Sequence, residues 1–152
     1  MFLDTTYVEG ADEQGRKLRR PVRPVLGRVY LWVAVLLVLL VIFQVFMAGA
    51  GIFAGGNWFA FHAANAFLML LIAIVFLIIG LFVRLPRSMN WYGALLVLLV
   101  IVQSLLIYPP RKWGMPLLSA LHPVNALFIF LLPLYLAIRV RQILRVSAAN
   151  GH

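Results

Sequence analysis

Two short motifs carry the residues best suited to chemistry. They are His62-Ala-Ala-Asn65 and His122-Pro-Val-Asn125, and the remaining histidine of the chain is its last residue. Each motif stands at the start of a long apolar segment, and each is followed by alanine. An imidazole entering an apolar segment brings a metal-binding nitrogen into a region that penalises unpaired polar groups. Two imidazoles at matching depth on two related segments form a pair that could hold one ligand between them. Bis-imidazole ligation of a haem iron uses neutral histidines and needs no carboxylate.

The segments that position these residues are read from hydropathy. The chain has 152 residues, is 64% hydrophobic and has a mean hydropathy of +1.03; a soluble domain is about half apolar. Four stretches, near 28–49, 59–82, 91–109 and 117–138, are long enough to cross a bilayer, which takes about 20 residues each. The expected architecture is an all-α integral membrane domain over 28–138, a four-transmembrane-helix up-down bundle. A polar basic arm over 1–27 precedes it and a basic tail over 139–152 follows. The sequence places an outer glycine-rich turn from Ala48 to Gly56 and a second outer loop over 109–116, and expects Pro133 to bend the fourth helix.

The two halves read as parallel helix-hairpin repeats. Leu36–Gln44 matches Leu95–Gln103 at eight of nine positions, ending on the paired glutamines. The offset from Gln44 to Gln103 nearly equals that from His62 to His122, and a one-position gap in the outer loop aligns both pairs. In such a bundle the second and fourth helices are diagonal neighbours running in the same direction. Adjacent axes lie about 8–10 Å apart, and the wider diagonal admits a flat macrocycle with one imidazole on each face.

Charge narrows the chemistry further. All four acids, Asp4, Glu9, Asp12 and Glu13, lie within the first 13 residues. Carboxylate acid–base catalysis, carboxylate metal sites and Asp/Glu proton relays are therefore absent from the apolar segments. The absence of cysteine removes iron–sulfur clusters, thiolate zinc sites and covalent c-type haem attachment. The net charge of +9 resides in basic residues that flank hydrophobic segments, which favours topology signals and anionic lipid over nucleic acid. Eleven of the thirteen basic residues fall on one side if all four segments span, and only Arg111 and Lys112 on the other. The positive-inside rule then puts both termini in the cytoplasm of a bacterial inner membrane, with the histidines near the outer face.

Four amides and two cations complete the candidate site. Asn65 and Asn125 lie one turn deeper than their histidines, on the same helix face, where they could orient the imidazoles, touch a macrocycle edge or tie helices together. Gln44 and Gln103 reach a similar depth from the odd-numbered helices, with interhelical contact or ligand contact open to them. Arg111 and Lys112 are placed to meet haem propionates or lipid headgroups.

The pattern of four helices, with histidines at the outer ends of the second and fourth and an internal twofold repeat, resembles one four-helix half of haem A synthase. The resemblance covers 28–138 and transfers only His62 and His122. It implies haem held near the outer face. The oxidative chemistry of that family does not carry over, because its outer-loop cysteines and required carboxylate have no counterpart here. The stretch Gln44-Val-Phe-Met-Ala-Gly49 is also similar to a group of small four-helix bacterial membrane proteins with no assigned activity. The expectation is a small b-type cytochrome with one haem b, its iron ligated by both histidines. It would transfer electrons, within a larger membrane complex and with quinone as a possible exchange partner, rather than act as a stand-alone enzyme. Two alternatives stand beside it: a cofactor-free accessory subunit, and a small transporter. The missing carboxylates and the scarcity of helix breaks count against the transporter.

Overall fold

The computed structural model describes residues 22–149, and within them the chain is helical without strands. The long helices are α1 (Pro24–Phe53), α2 (Trp58–Val83), α3 (Arg87–Leu105) and α6 (Leu121–Ala149). Two short ones, α4 (Tyr108–Lys112) and α5 (Pro116–Ser119), lie between α3 and α6. Four helical stretches are long and apolar enough to cross a membrane, the last two being Arg87–Pro110 and Pro116–Ala149. The chain is a multi-pass membrane protein. Large apolar side chains such as Trp32, Leu39, Phe67 and Leu127 face outward along the spans, as lipid requires.

Helix packing follows from where the small and large residues fall. α1 packs against α2 and α6, and α3 packs against the same two, so α2 and α6 face each other across the bundle without direct packing. The buried face of α1 is Tyr30, Ala34, Leu37 and Val41, and that of α3 is Met89, Gly93, Leu96 and Val100. Taken in order, the second set repeats the first at one constant offset, the same that relates Gln44 to Gln103. On α2 the buried positions are Asn65, Met69, Ala73, Phe76 and Gly80. Their partners in α6, at the offset that relates His62 to His122, are Asn125, Ile129, Pro133, Leu136 and Val140. Spacings of three and four keep each set on one helical face.

Helix ends depart from the sequence reading in informative ways. α1 begins at Pro24, since proline is preorganised for a first turn. It then runs through Ala48–Gly51, where the sequence predicts a turn, and stops at Phe53. In an apolar solvent the helix satisfies backbone groups that a loop would leave bare. Gly51 is buried, and a Cβ there would stand 2.8 Å from the Phe59 ring. The turn proper contains Gly55 and Gly56 at φ of +68° and +67°. The segment expected as an outer loop over 109–116 contains the helix α4. α6 spans Pro133 as one helix and continues to Ala149, so Arg139, Arg141 and Arg145 ride on helix rather than on an irregular tail. No glycine or proline occurs between Leu134 and Ala149 to stop it. The 1–21 portion of the expected basic arm lies outside the described residues.

Candidate functional site

Gln44 lies toward the C-terminal end of α1, facing the second turn of α2. Its Nε2 donates to the His62 carbonyl at 2.8 Å. In return the His62 ring donates from Nδ1 to the Gln44 carbonyl at 3.1 Å. The Gln44 Oε1 is left as an acceptor, and Asn65 Nδ2 donates to it at 2.6 Å and to the Leu40 carbonyl at 3.3 Å. Three polar side chains thus tie α1 to α2 in a closed set of bonds.

The same set joins α3 to α6. Gln103 Nε2 donates to the His122 carbonyl at 3.0 Å, and His122 Nδ1 to the Gln103 carbonyl at 3.0 Å. Asn125 Nδ2 donates to Gln103 Oε1 at 2.6 Å and to the Leu99 carbonyl at 2.9 Å. Asn65 and Asn125 are each more than nine-tenths buried. Amides buried in a membrane helix need partners, and here each amide nitrogen is fully used.

These bonds decide the histidine tautomers. A carbonyl only accepts, so Nδ1 must carry the proton on both rings. In the neutral ring Nε2 then carries the lone pair, as in metal-ligating histidines whose other ring N–H is held by a carbonyl. The two rings approach across the bundle, with centroids 6.3 Å apart and planes at 43°. An ion bound end-on by two imidazole nitrogens, at about 2 Å from each, separates the ring centres by about 6 Å.

Among the described residues no group of three or more metal-binding side chains occurs. A tetrahedral zinc site therefore lacks ligands. A macrocycle that supplies its own equatorial nitrogens asks the chain for only two, and that is the number offered.

One turn inward from the rings, all four long helices leave empty space between them. The cavity is small, about 40 Å³. Its lining comes in matched pairs: Val41 with Val100, Gln44 with Gln103, Ala66 with Ala126 and Met69 with Ile129. Val45 with Ser104 is the fifth pair, and the one in which an apolar residue faces a polar counterpart.

Of the eight residues that the sequence singles out, six converge in the two hydrogen-bonded sets. Lys112 is not part of them. Arg111 and Lys112 both sit on α4, with the Lys112 side chain exposed. The sequence does not identify the Gln44 and Gln103 backbone carbonyls as the acceptors that fix the rings, and no residue type could have signalled a backbone role. It also leaves out Ala66 and Ala126, although both directly follow the asparagines.

Comparison with known proteins adds one likeness. A family model described as a family of unknown function (DUF6220) matches residues 44–109. The matched span opens on Gln44 and takes in His62, Asn65 and Gln103, while His122 and Asn125 lie beyond it. No curated protein and no solved structure matches the chain.

Proposed function

We propose that this chain is a small b-type cytochrome of a bacterial inner membrane, in which His62 and His122 ligate one haem near the outer face. The observation that carries the reading is the pair of rings 6.3 Å apart, each held through Nδ1 by a backbone carbonyl, an arrangement in which a neutral imidazole keeps its lone pair on Nε2. A bundle of two parallel helix-hairpin repeats, up-down-up-down, supports it. The matched buried registers of α1 with α3 and of α2 with α6, together with the duplicated hydrogen-bond sets, agree with that symmetry. Asn65, Asn125, Gln44 and Gln103 serve as positioning residues. They hold α1 on α2 and α3 on α6, so that each carbonyl meets its imidazole.

When bound, the haem supplies a reversible one-electron couple. The chain supplies fixed axial nitrogens, a dry apolar surround and no carboxylate at that depth. With both axial positions taken by histidine, electron transfer is favoured over oxygen chemistry. One centre near one face spans only part of the membrane, so the protein works with a larger complex or with quinone as its exchange partner. Arg111 and Lys112, on the outer segment, are the cations nearest in sequence to meet propionates.

A cofactor-free accessory subunit is the second reading, favoured by the commitment of both asparagine amide nitrogens to interhelical bonds. Absorption spectra of the detergent-purified protein separate the two. The cytochrome reading expects a Soret band with sharp α and β bands on dithionite reduction, lost in His62→Ala and His122→Ala. A colourless wild type, after expression with haem supplied, would favour the accessory role.

A further inference from the structure

The bundle carries a second cleft, on the outward side of α1 and α2 beside the histidine cluster. It offers about 450 Å³ to the centre of a water-sized sphere and is lined by Phe43, Met47, Trp58, Phe61, Leu68 and, on its floor, Ala64 and Asn65. That size lies within the range of small-molecule sites, which are mostly apolar with a few placed polar groups. Its aromatic residues are ordered by edge contacts: Phe46 lies 5.7 Å from Trp58, and Trp58 lies 6.0 Å from Phe61, both T-shaped.

Two lining side chains can hydrogen-bond: Trp58, through its indole N–H, and Asn65, which is only 7% exposed and is the one acceptor. Both Nδ2 hydrogens are committed, to Leu40 and to Gln44. Oδ1 receives none of the described hydrogen bonds, so the Asn65 atom left to face an occupant is an acceptor. An unmet acceptor at this depth is costly, and the occupant that relieves it must bring a donor.

The corresponding face of α3 and α6 differs. Val102, Leu118 and Leu121 stand where the first pair of helices has Phe43, Trp58 and Phe61. The aromatic cleft therefore belongs to one half of the bundle only.

We infer that this cleft binds a lipid-soluble hydroquinone, its ring between the aromatic side chains and one hydroxyl donating to Asn65 Oδ1. The choice of an electron carrier among hydroxylated rings rests on the cytochrome reading. The ring, the apolar tail and the donor follow from the lining itself. Asn65 also bonds Gln44, whose carbonyl holds His62, so the cleft and the histidine site share one wall.

The test uses the full chain in nanodiscs and a decyl-substituted benzohydroquinone, with binding measured by equilibrium partition in excess of empty nanodiscs. Saturable binding near one per chain is expected. The dimethyl ether of the same compound, which keeps ring and tail but donates nothing, should bind about tenfold or more weakly. Ala64→Trp, which fills the cleft from an exposed position, should abolish binding, and Phe61→Ala should weaken it. Val124→Trp, at the matching place on α6, should leave it intact. Partition no greater than into empty nanodiscs, equal binding of the ether, or indifference to Ala64→Trp would each overturn the assignment. Absorption spectra of the same samples report separately on the haem. A Soret band without saturable binding removes the cleft alone, and saturable binding without a Soret band keeps the cleft and removes the cytochrome.

Discussion

A histidine in a membrane helix is determined by what its second nitrogen does. Here both Nδ1 atoms are spent on carbonyls of neighbouring helices, at 3.1 and 3.0 Å, and neither Nε2 is taken up by those bonds. The glutamines that own those carbonyls are held in turn by the asparagines. Gln44→Leu should therefore act twice. It removes bonds to the His62 carbonyl and to Asn65, each worth about 0.6–2 kcal/mol in a membrane, and it loosens the ring. Loss of about 1–3 kcal/mol in reversible unfolding is expected, together with broadened haem bands in protein that still binds haem. Asn65→Leu should cost a similar amount, and the double variant should cost less than the sum because the two share a bond. Strict additivity in that cycle would show that the 2.6 Å contact carries no coupling. The polar residues of this cluster were legible in the sequence, because an amide or imidazole is conspicuous among leucines. The bond pattern was not, since it runs through backbone carbonyls that every residue possesses.

At the scale of elements, the four spans were legible because hydropathy is nearly all that a bilayer asks of a helix. Their ends were not, because Ala48–Gly51 is weakly helical in water and strongly held in lipid, where a bare backbone is penalised. The two turns also make a matched test of backbone conformation. At the inner turn Arg84 closes α2 in the left-handed region, at φ +64°, and is exposed. At the outer turn glycine occupies that region twice, with open space where a Cβ would be. A non-glycine residue there costs roughly 1–2 kcal/mol. Arg84→Gly should therefore raise stability by up to about 1 kcal/mol, and Gly55→Ala should lower it by about 1 kcal/mol. Opposite signs for the two substitutions, read from unfolding midpoints in mixed micelles, are the expected result. Matching signs would mean that lipid contacts at the turns outweigh the backbone.

For the whole molecule, the distribution of charge is the strongest constraint on orientation. Among the described residues every ionisable side chain of the long spans is basic, tyrosine or histidine, and every arginine except Arg111 lies toward one end of the bundle. Arg23, Arg28, Arg84 and Arg87 lie near one set of helix ends, and Arg139, Arg141 and Arg145 on the last turns of α6. From the positive-inside rule we propose that this end is cytoplasmic, with α5 and the histidines on the opposite side. Because the chain lacks cysteine, a single introduced thiol reports its side without background. Leu117, on α5, is 84% exposed, and Ser88 is exposed at the start of α3. In intact spheroplasts an impermeant maleimide should label Leu117→Cys at once and Ser88→Cys only after lysis. The reverse pattern would invert the bundle and move the histidine pair to the cytoplasmic side. If the protein binds haem as proposed, the same orientation predicts that an impermeant reductant outside the spheroplast reduces it without lysis, because His122 lies in the first turn of the helix that closely follows Leu117. Outside labelling of Leu117→Cys with a haem reducible only after lysis would separate topology from cofactor depth, and would place the redox centre deeper than the two imidazoles allow.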